Sequence, residues 1–129
     1  MTASRLAWAL LRMASVTTTA SVVFSTAVEN TTLAVVVTDA ILTKPQAKRL
    51  AMIAQTGFAR AIYPVHAPTD GDVLFAAATG EKPVDPLVGL TELGMVAANV
   101  VARAIARGVY EATALPFPGA LPAWKDRFG

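Results

Sequence analysis

The sequence predicts an α/β fold in which a sheet is layered against helices. Three observations predict it: two short apolar runs typical of strands, two longer segments with apolar residues three and four positions apart, and the alternation of these along the chain. With 129 residues, the chain suits one small domain with one core. We therefore expect strand, helix, strand, helix in that order, with an added strand on the N-terminal side.

The N-terminal segment, residues 1–28, differs in composition from the rest, because it carries Arg5 and Arg12 and no acidic residue. We expect a short helix over residues 3–13 and then an extended segment over 16–28 that pairs with the first apolar run. A signal peptide is the second interpretation, since the segment begins basic and continues apolar. Arg12 and the hydroxyl-rich stretch after it argue against a membrane span, which needs about 20 apolar residues.

The first apolar run, residues 33–38, is rich in valine and predicts a strand buried on both faces. Thr43 is the expected helix N-cap, with Pro45 in the first turn. A helix over residues 44–60 follows, and its apolar stripe consists of Ala47, Leu50, Ala51, Ala54, Phe58 and Ala61. Gly57 costs about 1 kcal/mol relative to alanine inside such a helix, so we expect a close packing contact there.

The second half begins with a proline-punctuated loop, residues 63–69, and its His66 is interpreted as an ordinary loop residue. Residues 73–78 predict a second buried strand, 80–86 a turn with two prolines, and 87–113 a long helix. The prolines of the tail exclude a regular helix through residues 115–124. We expect this tail to lie extended across the surface, with Phe117 and Trp124 as anchors.

The composition is apolar for a free-standing soluble domain of this size, at 54% hydrophobic and 16% charged residues. Either buried strands or one face covered by a partner explains this. The net charge is +2 and no cluster of basic residues alternates with aromatic ones, so nucleic-acid binding is not expected. Without cysteine, disulfides and thiolate metal sites are excluded, and the single histidine excludes a two-histidine metal site within this chain.

A candidate nucleophile, Thr31, stands directly before the first apolar run, between Asn30 and Thr32. If the Asn30–Thr31 bond is cleaved, Thr31 carries a hydroxyl nucleophile and an α-amine base on one residue, with no need of histidine or cysteine. A free α-amine titrates near ~7.7–8.0 and accepts a proton at neutral pH. The same residues are also typical of an ordinary turn before a strand.

A pair of carboxylates, Asp70 and Asp72, stands before the second strand with Gly71 between them. In extended backbone, residues two apart point the same way, and glycine permits close backbone approach. A right-handed strand–helix–strand unit makes the two strands parallel, so their N-terminal ends share one edge of the sheet. We therefore expect Thr31 and both carboxylates to lie near one pocket. An exposed turn is the alternative.

The chain resembles the small subunit of the self-processing L-aminopeptidase/D-esterase family, which includes β-aminopeptidases and the nylon-oligomer hydrolase. The resemblance extends from Asn30 to Phe128 and is similar above all to the nylon-oligomer hydrolase branch, where Asn-Thr is the processing bond. The stretches that carry it are Asn30-Thr31-Thr32-Leu33-Ala34-Val35-Val36-Val37-Thr38-Asp39-Ala40 and residues 42–51, 58–62, 70–76 and 101–107.

The resemblance implies a precursor that cuts itself at Asn30–Thr31, leaving Thr31 as the nucleophile and Asp70 and Asp72 as the acidic residues that orient it. It implies amide hydrolysis through an acyl-enzyme ester on Thr31, with no metal or organic cofactor. The implied fold is a four-layer αββα sandwich, of which this chain is the C-terminal strand-helix-strand-helix part. Residues 1–30 are then the pre-cleavage segment, and 31–129 the small-subunit domain with an extended tail over 115–129.

In the family a long chain precedes the cleavage point and supplies the oxyanion-hole and lysine residues, whereas 30 residues precede Thr31 here and none before Glu29 is lysine or asparagine. An oxyanion donor is worth about 10²–10³ in rate, so we expect this chain to be inactive without a large-chain partner or precursor segment. The other expected partners are a peptide or small amide substrate and further copies of the processed unit in a homo-oligomer, with no nucleic acid and no membrane.

Two alternatives stay open at this point. One is an inactive truncated fragment or subunit that only assembles with a missing large chain. The other is a small secreted or membrane-associated domain whose N-terminal segment is a signal; otherwise we expect a cytoplasmic or periplasmic location. The substrate class also stays open among α-peptides, β-peptides, amino-acid amides and aminohexanoate oligomers.

Overall fold

A computed structural model describes residues 16–24 and 30–129 of the chain. Three strands form one sheet in the order β1-β2-β3, with β1 at Val16–Phe24, β2 at Asn30–Ala40 and β3 at Val73–Lys82. Helices follow β2 and β3, so the predicted α/β class is confirmed. The helix expected over residues 3–13, and residues 25–28 of the expected extended segment, lie outside the described residues.

The first two strands are neighbours in the sheet, as expected of the extended segment, and the structure shows that they run antiparallel. Val16 lies opposite Thr38 at one end of the ladder, and Phe24 lies opposite Asn30 at the other. Thr31 pairs with Val23. The Asn30–Thr31 peptide bond is therefore held within a β-ladder.

The expected parallel pairing of β2 with β3 is confirmed, with Leu33 opposite Val73. The ladder continues to Ala40 opposite Lys82 after an irregularity between Thr38 and Ala40. This longer pairing extends β3 into the region where a turn over 80–86 is predicted. The N-terminal ends of both strands consequently lie at the same edge of the sheet.

Helix α1 spans Lys44–Gln55 and begins at the predicted N-cap, Thr43. A capping box forms there, because Gln46 returns its side-chain oxygen to the Thr43 backbone N–H at 2.8 Å. The predicted helix to residue 60 is too long by about a turn. Thr56 and the residue after it donate to carbonyls three positions back, and a separate 3₁₀ turn follows at Phe58–Arg60.

Helix α2 spans Val88–Glu111, inside its predicted range. Asp85 stabilises its start, since Oδ1 accepts from the backbone N–H groups of Leu87 at 2.9 Å and Val88 at 2.6 Å. Among the described residues, this helix alone is long and apolar enough to cross a membrane by length and composition. The apolar stripe of this helix is buried in the core of the domain, and core helices of similar length and composition also meet the criteria for a membrane span.

The close contact expected at Gly57 is present, against helix α2. A Cβ atom at this position would lie 2.3 Å from the backbone oxygen of Ala98. Backbone atoms cannot move aside as a flexible side chain can, so glycine permits the two segments to approach this closely.

The core lies between one face of the sheet and the two helices, which contact each other, with α1 against β3 and α2 against β1. Its largest fully buried side chains include Phe58, Leu50, Leu93, Ile105, Val36 and Val101. Burial alternates along β2, because the described helices cover one face only. The expectation of a strand buried on both faces is therefore wrong for the described structure. We call Leu33, Val35, Val37 and Phe75, which are exposed on the other side, the outer sheet face.

The tail has no regular structure until a short helix, α3, at Trp124–Phe128. The expectation of an extended tail over 115–129 is therefore wrong from Trp124 onward, because no proline follows Pro122 to prevent a helix. The Trp124 ring lies 5.7 Å from that of Tyr110 on α2, and Lys125 pairs with Glu111 at 2.7 Å. Trp124 therefore contacts its own domain, as expected of an anchor. Phe117, the other expected anchor, is 56% exposed.

Candidate functional site

The Thr31 hydroxyl lies against the backbone of Gly71 at the shared edge of β2 and β3. A Cβ atom at Gly71 would stand 2.9 Å from Thr31 Oγ1. The φ angle of Gly71 lies outside the left-handed region, so what restricts this position is the space beside Thr31 rather than the backbone conformation. The structure thus brings together Thr31 and the segment 70–72, as the sequence predicts.

Asp72 presents a buried carboxylate to the start of β2. Its side chain is only 4% exposed, and Oδ1 accepts from the backbone N–H of Thr32 at 2.8 Å. Burial raises the pKa of Asp72. Hydrogen bonds from the backbone and side chain of Thr32, and the hydrogen bond and charge of His66, lower it. The lowering effects are larger, so the pKa lies below its usual value. Asp72 is therefore an ionised acceptor at neutral pH.

The contact between Asp72 and Thr32 bears directly on Thr31. The N–H group that donates to Asp72 belongs to the peptide group joining Thr31 to Thr32. Because peptide groups are planar, this hydrogen bond fixes the peptide plane beside Thr31. Thr32 itself is buried, at 2% exposure. The carboxylate consequently orients the main chain that carries the candidate nucleophile.

Asp70 closes the turn that leads into this segment. Its Oδ2 accepts from the backbone N–H of Ala67 at 2.7 Å, and its own N–H donates to the Ala67 oxygen at 2.8 Å. Because β3 begins only at Val73, both carboxylates precede the strand instead of lying in it. Asp70 thus holds the loop, whereas Asp72 links the segment before β3 to the start of β2.

His66 belongs to the site, although the sequence suggests only a loop residue. Its Nδ1 lies 2.8 Å from Asp72 Oδ2, and its Nε2 lies 3.3 Å from the side-chain nitrogen of Gln55. Its ring lies 5.7 Å from that of Phe58. The available signal was its place six residues before Asp72, in a loop short enough to fold back on the carboxylate.

Within the part of the chain that the structure describes, no group of three or more histidine, aspartate or glutamate side chains is arranged to hold a metal ion. The described chemistry of this edge is thus a threonine hydroxyl, a buried carboxylate, an imidazole and a second carboxylate. These groups suit proton transfer and the orientation of a hydroxyl.

Comparison with known proteins places the chain in a family. The profile of peptidase family S58 matches residues 3–120. The chain belongs to this peptidase family. The match covers most of the chain and supports, at family level, the resemblance to self-processing aminopeptidases.

The curated relatives of this family member are longer proteins. A Mycobacterium bovis protein named as an uncharacterized aminopeptidase is 39% identical over 110 residues, covering 77% of this chain and 31% of the relative. A Mycobacterium leprae protein with the same kind of name is 42% identical over 110 residues, covering 70% of this chain and 30% of the relative. The chain thus spans less than a third of the length of these relatives. Their names do not distinguish the nylon-oligomer branch, which stays a prediction.

Proposed function

We propose that this chain is the nucleophile-bearing part of a self-cleaving aminopeptidase or amidase, with Thr31 as the nucleophile released at the Asn30–Thr31 bond. The observation that carries the proposal is the position of the Thr31 hydroxyl, against the Gly71 backbone and beside the peptide group that Asp72 holds. Family membership and the names of the relatives support a peptidase. The names of both relatives suggest that this peptidase activity is aminopeptidase activity.

Self-cleavage begins with attack by Thr31 Oγ1 on the carbonyl carbon of Asn30. The hydroxyl proton passes to the departing nitrogen, the C–N bond breaks, and Asn30 becomes an ester on the Thr31 oxygen. Water then hydrolyses the ester, leaving a carboxylate on Asn30 and a free α-amine and hydroxyl on Thr31. The pairing of Asn30 and Thr31 with β1 supports this step, because a fixed peptide bond holds the reacting atoms in one geometry.

Turnover repeats the same chemistry on an external amide. The Thr31 hydroxyl attacks the substrate carbonyl, and the α-amine takes the hydroxyl proton and transfers it to the leaving amine. Water then releases the acyl group from the Thr31 oxygen. No step requires a metal or an organic cofactor.

Asp72 and Asp70 orient Thr31 in this proposal. Asp72 holds the peptide group that follows the nucleophile, while Asp70 holds the loop that brings Gly71 against its hydroxyl. Both keep the hydroxyl directed to one side of the β2 edge. We propose no other catalytic group among residues 31–129.

The complete enzyme, in this proposal, is a four-layer αββα sandwich in which the outer sheet face packs against a second sheet. The support is the exposed apolar side of β2 and β3, where Phe75 is 60% exposed and Leu33 45%. A large chain or precursor segment supplies that sheet together with the oxyanion donors, and processed units associate as homo-oligomers. A catalytically inactive subunit that only assembles with such a partner is the second candidate, favoured by the same exposed face.

The test is the intact mass of the purified chain after overnight incubation at neutral pH. We expect a fragment that begins at Thr31 in the parent and in Thr31→Ser, which keeps a hydroxyl, and none in Thr31→Ala. Thr113→Ala, at an exposed threonine, is the matched control and should behave as the parent. If the parent stays intact, the experiment is repeated with coexpression of the part of the Mycobacterium bovis relative outside the matched region. An uncut parent in both formats favours the inactive subunit.

A further inference from the structure

His66 is held on three sides at the edge of the candidate site. Nδ1 lies 2.8 Å from Asp72 Oδ2, Nε2 lies 3.3 Å from the amide nitrogen of Gln55 on α1, and the ring lies 5.7 Å from that of Phe58. Its backbone adopts a φ of 55°, in the left-handed region where glycine is common and where asparagine, aspartate and histidine are enriched among the other residues. The loop backbone and the contacts of the ring together fix the position of the imidazole.

The two neighbours of the ring favour one arrangement of its protons. An ionised carboxylate only accepts hydrogen bonds, so the nitrogen that faces Asp72 must carry a proton. The amide nitrogen of Gln55 only donates, so the nitrogen that faces it must offer a lone pair. In a neutral imidazole, both conditions are met by the tautomer with the proton on Nδ1.

Each oxygen of the Asp72 carboxylate then has a donor, and the side chain of Thr32 adds a further hydrogen bond to the group. Oδ1 accepts from the Thr32 backbone and Oδ2 from His66. A carboxylate held at both oxygens cannot turn in its plane, and this one is almost fully buried, with 4% exposure. Loss of the imidazole removes the donor at Oδ2, and the carboxylate that holds the peptide plane beside Thr31 then keeps only its hydrogen bonds with Thr32.

We infer that His66 is a positioning residue: as the Nδ1–H tautomer between Gln55 and Asp72, it fixes the Asp72 carboxylate on the Thr32 N–H and thereby aims Thr31. This inference rests on the proposed function for its consequence, the rate of Thr31 chemistry. The geometry of His66 and Asp72 stands apart from that function and is tested separately.

The geometric test uses nitrogen NMR of the full chain, in which His66 is the single histidine and its ring signals need no assignment. At a pH where the ring is neutral, we expect the Nδ1–H tautomer. In Asp72→Asn the amide oxygen should stay on the buried Thr32 N–H, which places the NH₂ group against His66 Nδ1. The ring proton should then move to Nε2. Equal tautomers in the parent, or an unchanged tautomer in Asp72→Asn, would overturn the inference.

The functional test compares His66→Gly with His66→Asn. It uses the chain alone or the coexpressed chain, whichever of the two cleaves at Asn30–Thr31 in the parent. Both residues accept a φ of 55°, but only asparagine supplies an N–H near the place of Nδ1. We expect first-order cleavage to slow by about tenfold to a hundredfold in His66→Gly, as misplaced reacting groups do, and to recover largely in His66→Asn. A general loss of stability would not produce this rescue when both variants melt at similar temperatures.

The outcomes separate the two ideas. If the parent cleaves and His66→Gly cleaves as fast, the positioning role is wrong and the proposed function stands. If the parent cleaves neither alone nor when coexpressed, the proposed function fails, and the role of His66 in positioning Thr31 fails too. The NMR result then still decides whether His66 donates to Asp72.

Discussion

The carboxylate of Asp72 accepts a hydrogen bond from the backbone N–H of Thr32 at 2.8 Å, across 40 residues of sequence. This bond joins the segment before β3 to the start of β2, next to the candidate nucleophile. It places a negative charge at the point where the parallel strands begin. Stability at acid pH and the geometry of Thr31 should therefore depend on the same side chain.

Asp72→Asn should reduce the loss of stability in acid. Hydrogen bonds from Thr32 and His66 hold the folded-state pKa of Asp72 below its usual value despite burial, which alone raises it. Such a group stabilises the fold above its unfolded-state pKa of about 3.9, and that stabilisation is lost as pH falls through the lower folded value. The free energy of unfolding, measured by urea between pH 7 and pH 3, should fall less steeply below about pH 4 in the variant.

A residual acid dependence should remain in that variant. The backbone N–H groups of Val88 and Leu87 lower the pKa of Asp85, and Lys125 lowers that of Glu111. Both carboxylates are exposed, so we expect small contributions that salt weakens. Identical pH profiles of parent and Asp72→Asn would show that Asp72 is not the acid-sensitive group.

Gly71→Ala should impair self-cleavage far more than it impairs folding. The added Cβ would stand 2.9 Å from Thr31 Oγ1, and the hydroxyl must move by a few tenths of an ångström or rotate away. We expect a loss of about tenfold or more in the cleavage rate, with a melting temperature near that of the parent. Rate and melting temperature are measured on the same preparation, and an unaltered rate would contradict the close approach.

Gly57→Ala and Gly108→Ala should have opposite effects on stability. The Cβ at Gly57 meets the Ala98 oxygen at 2.3 Å, so we expect destabilisation of about 1–3 kcal/mol from overpacking. The Cβ at Gly108, inside α2, meets nothing within 4 Å, and alanine there should stabilise by about 0.5–1 kcal/mol through helix propensity. Urea unfolding of the two variants at pH 7 gives both values, and equal effects would mean that the segment after α1 is not in close contact with Ala98 of α2.

Thr43→Ala should destabilise the chain by removing the N-cap of α1. The Thr43 hydroxyl accepts from the Gln46 N–H, and loss of such a cap costs about 0.5–2 kcal/mol. Thr43→Ser keeps the hydroxyl and serves as the control. Chemical unfolding should rank parent and Thr43→Ser together, above Thr43→Ala; equal stability of all three would show that the cap contributes nothing.

Phe75→Thr should weaken binding of a large-chain partner without unfolding the domain. The Phe75 side chain is 60% exposed on the outer sheet face, so little of its apolar area is buried here, and threonine suits a strand. Copurification with the partner segment should fall, while the melting temperature of the chain alone changes little. Thr79→Ser, farther along β3 and also exposed, is the matched control.

Local signals in the sequence were sufficient for much of the fold. The Thr43 cap, the two helices and the two apolar strands follow from hydrogen-bonding side chains and from periodicity, both of which act over a few residues. The approach of Thr31 to the segment 70–72 was also predictable. Parallel strands joined through a helix must begin at the same edge of the sheet.

The α/β order, the helix N-cap at Thr43 and the edge at which Thr31 and the acidic pair lie all follow from sequence patterns. Three features depend on how distant segments pack: His66 contacts Asp72, Asp72 accepts from Thr32, and one face of β2 is exposed. The two groups of features differ in the sequence separation of the interactions that produce them. Caps and periodicity depend on neighbours within a turn or two, whereas these contacts depend on how a proline-rich loop folds back and on which side of the sheet the helices pack.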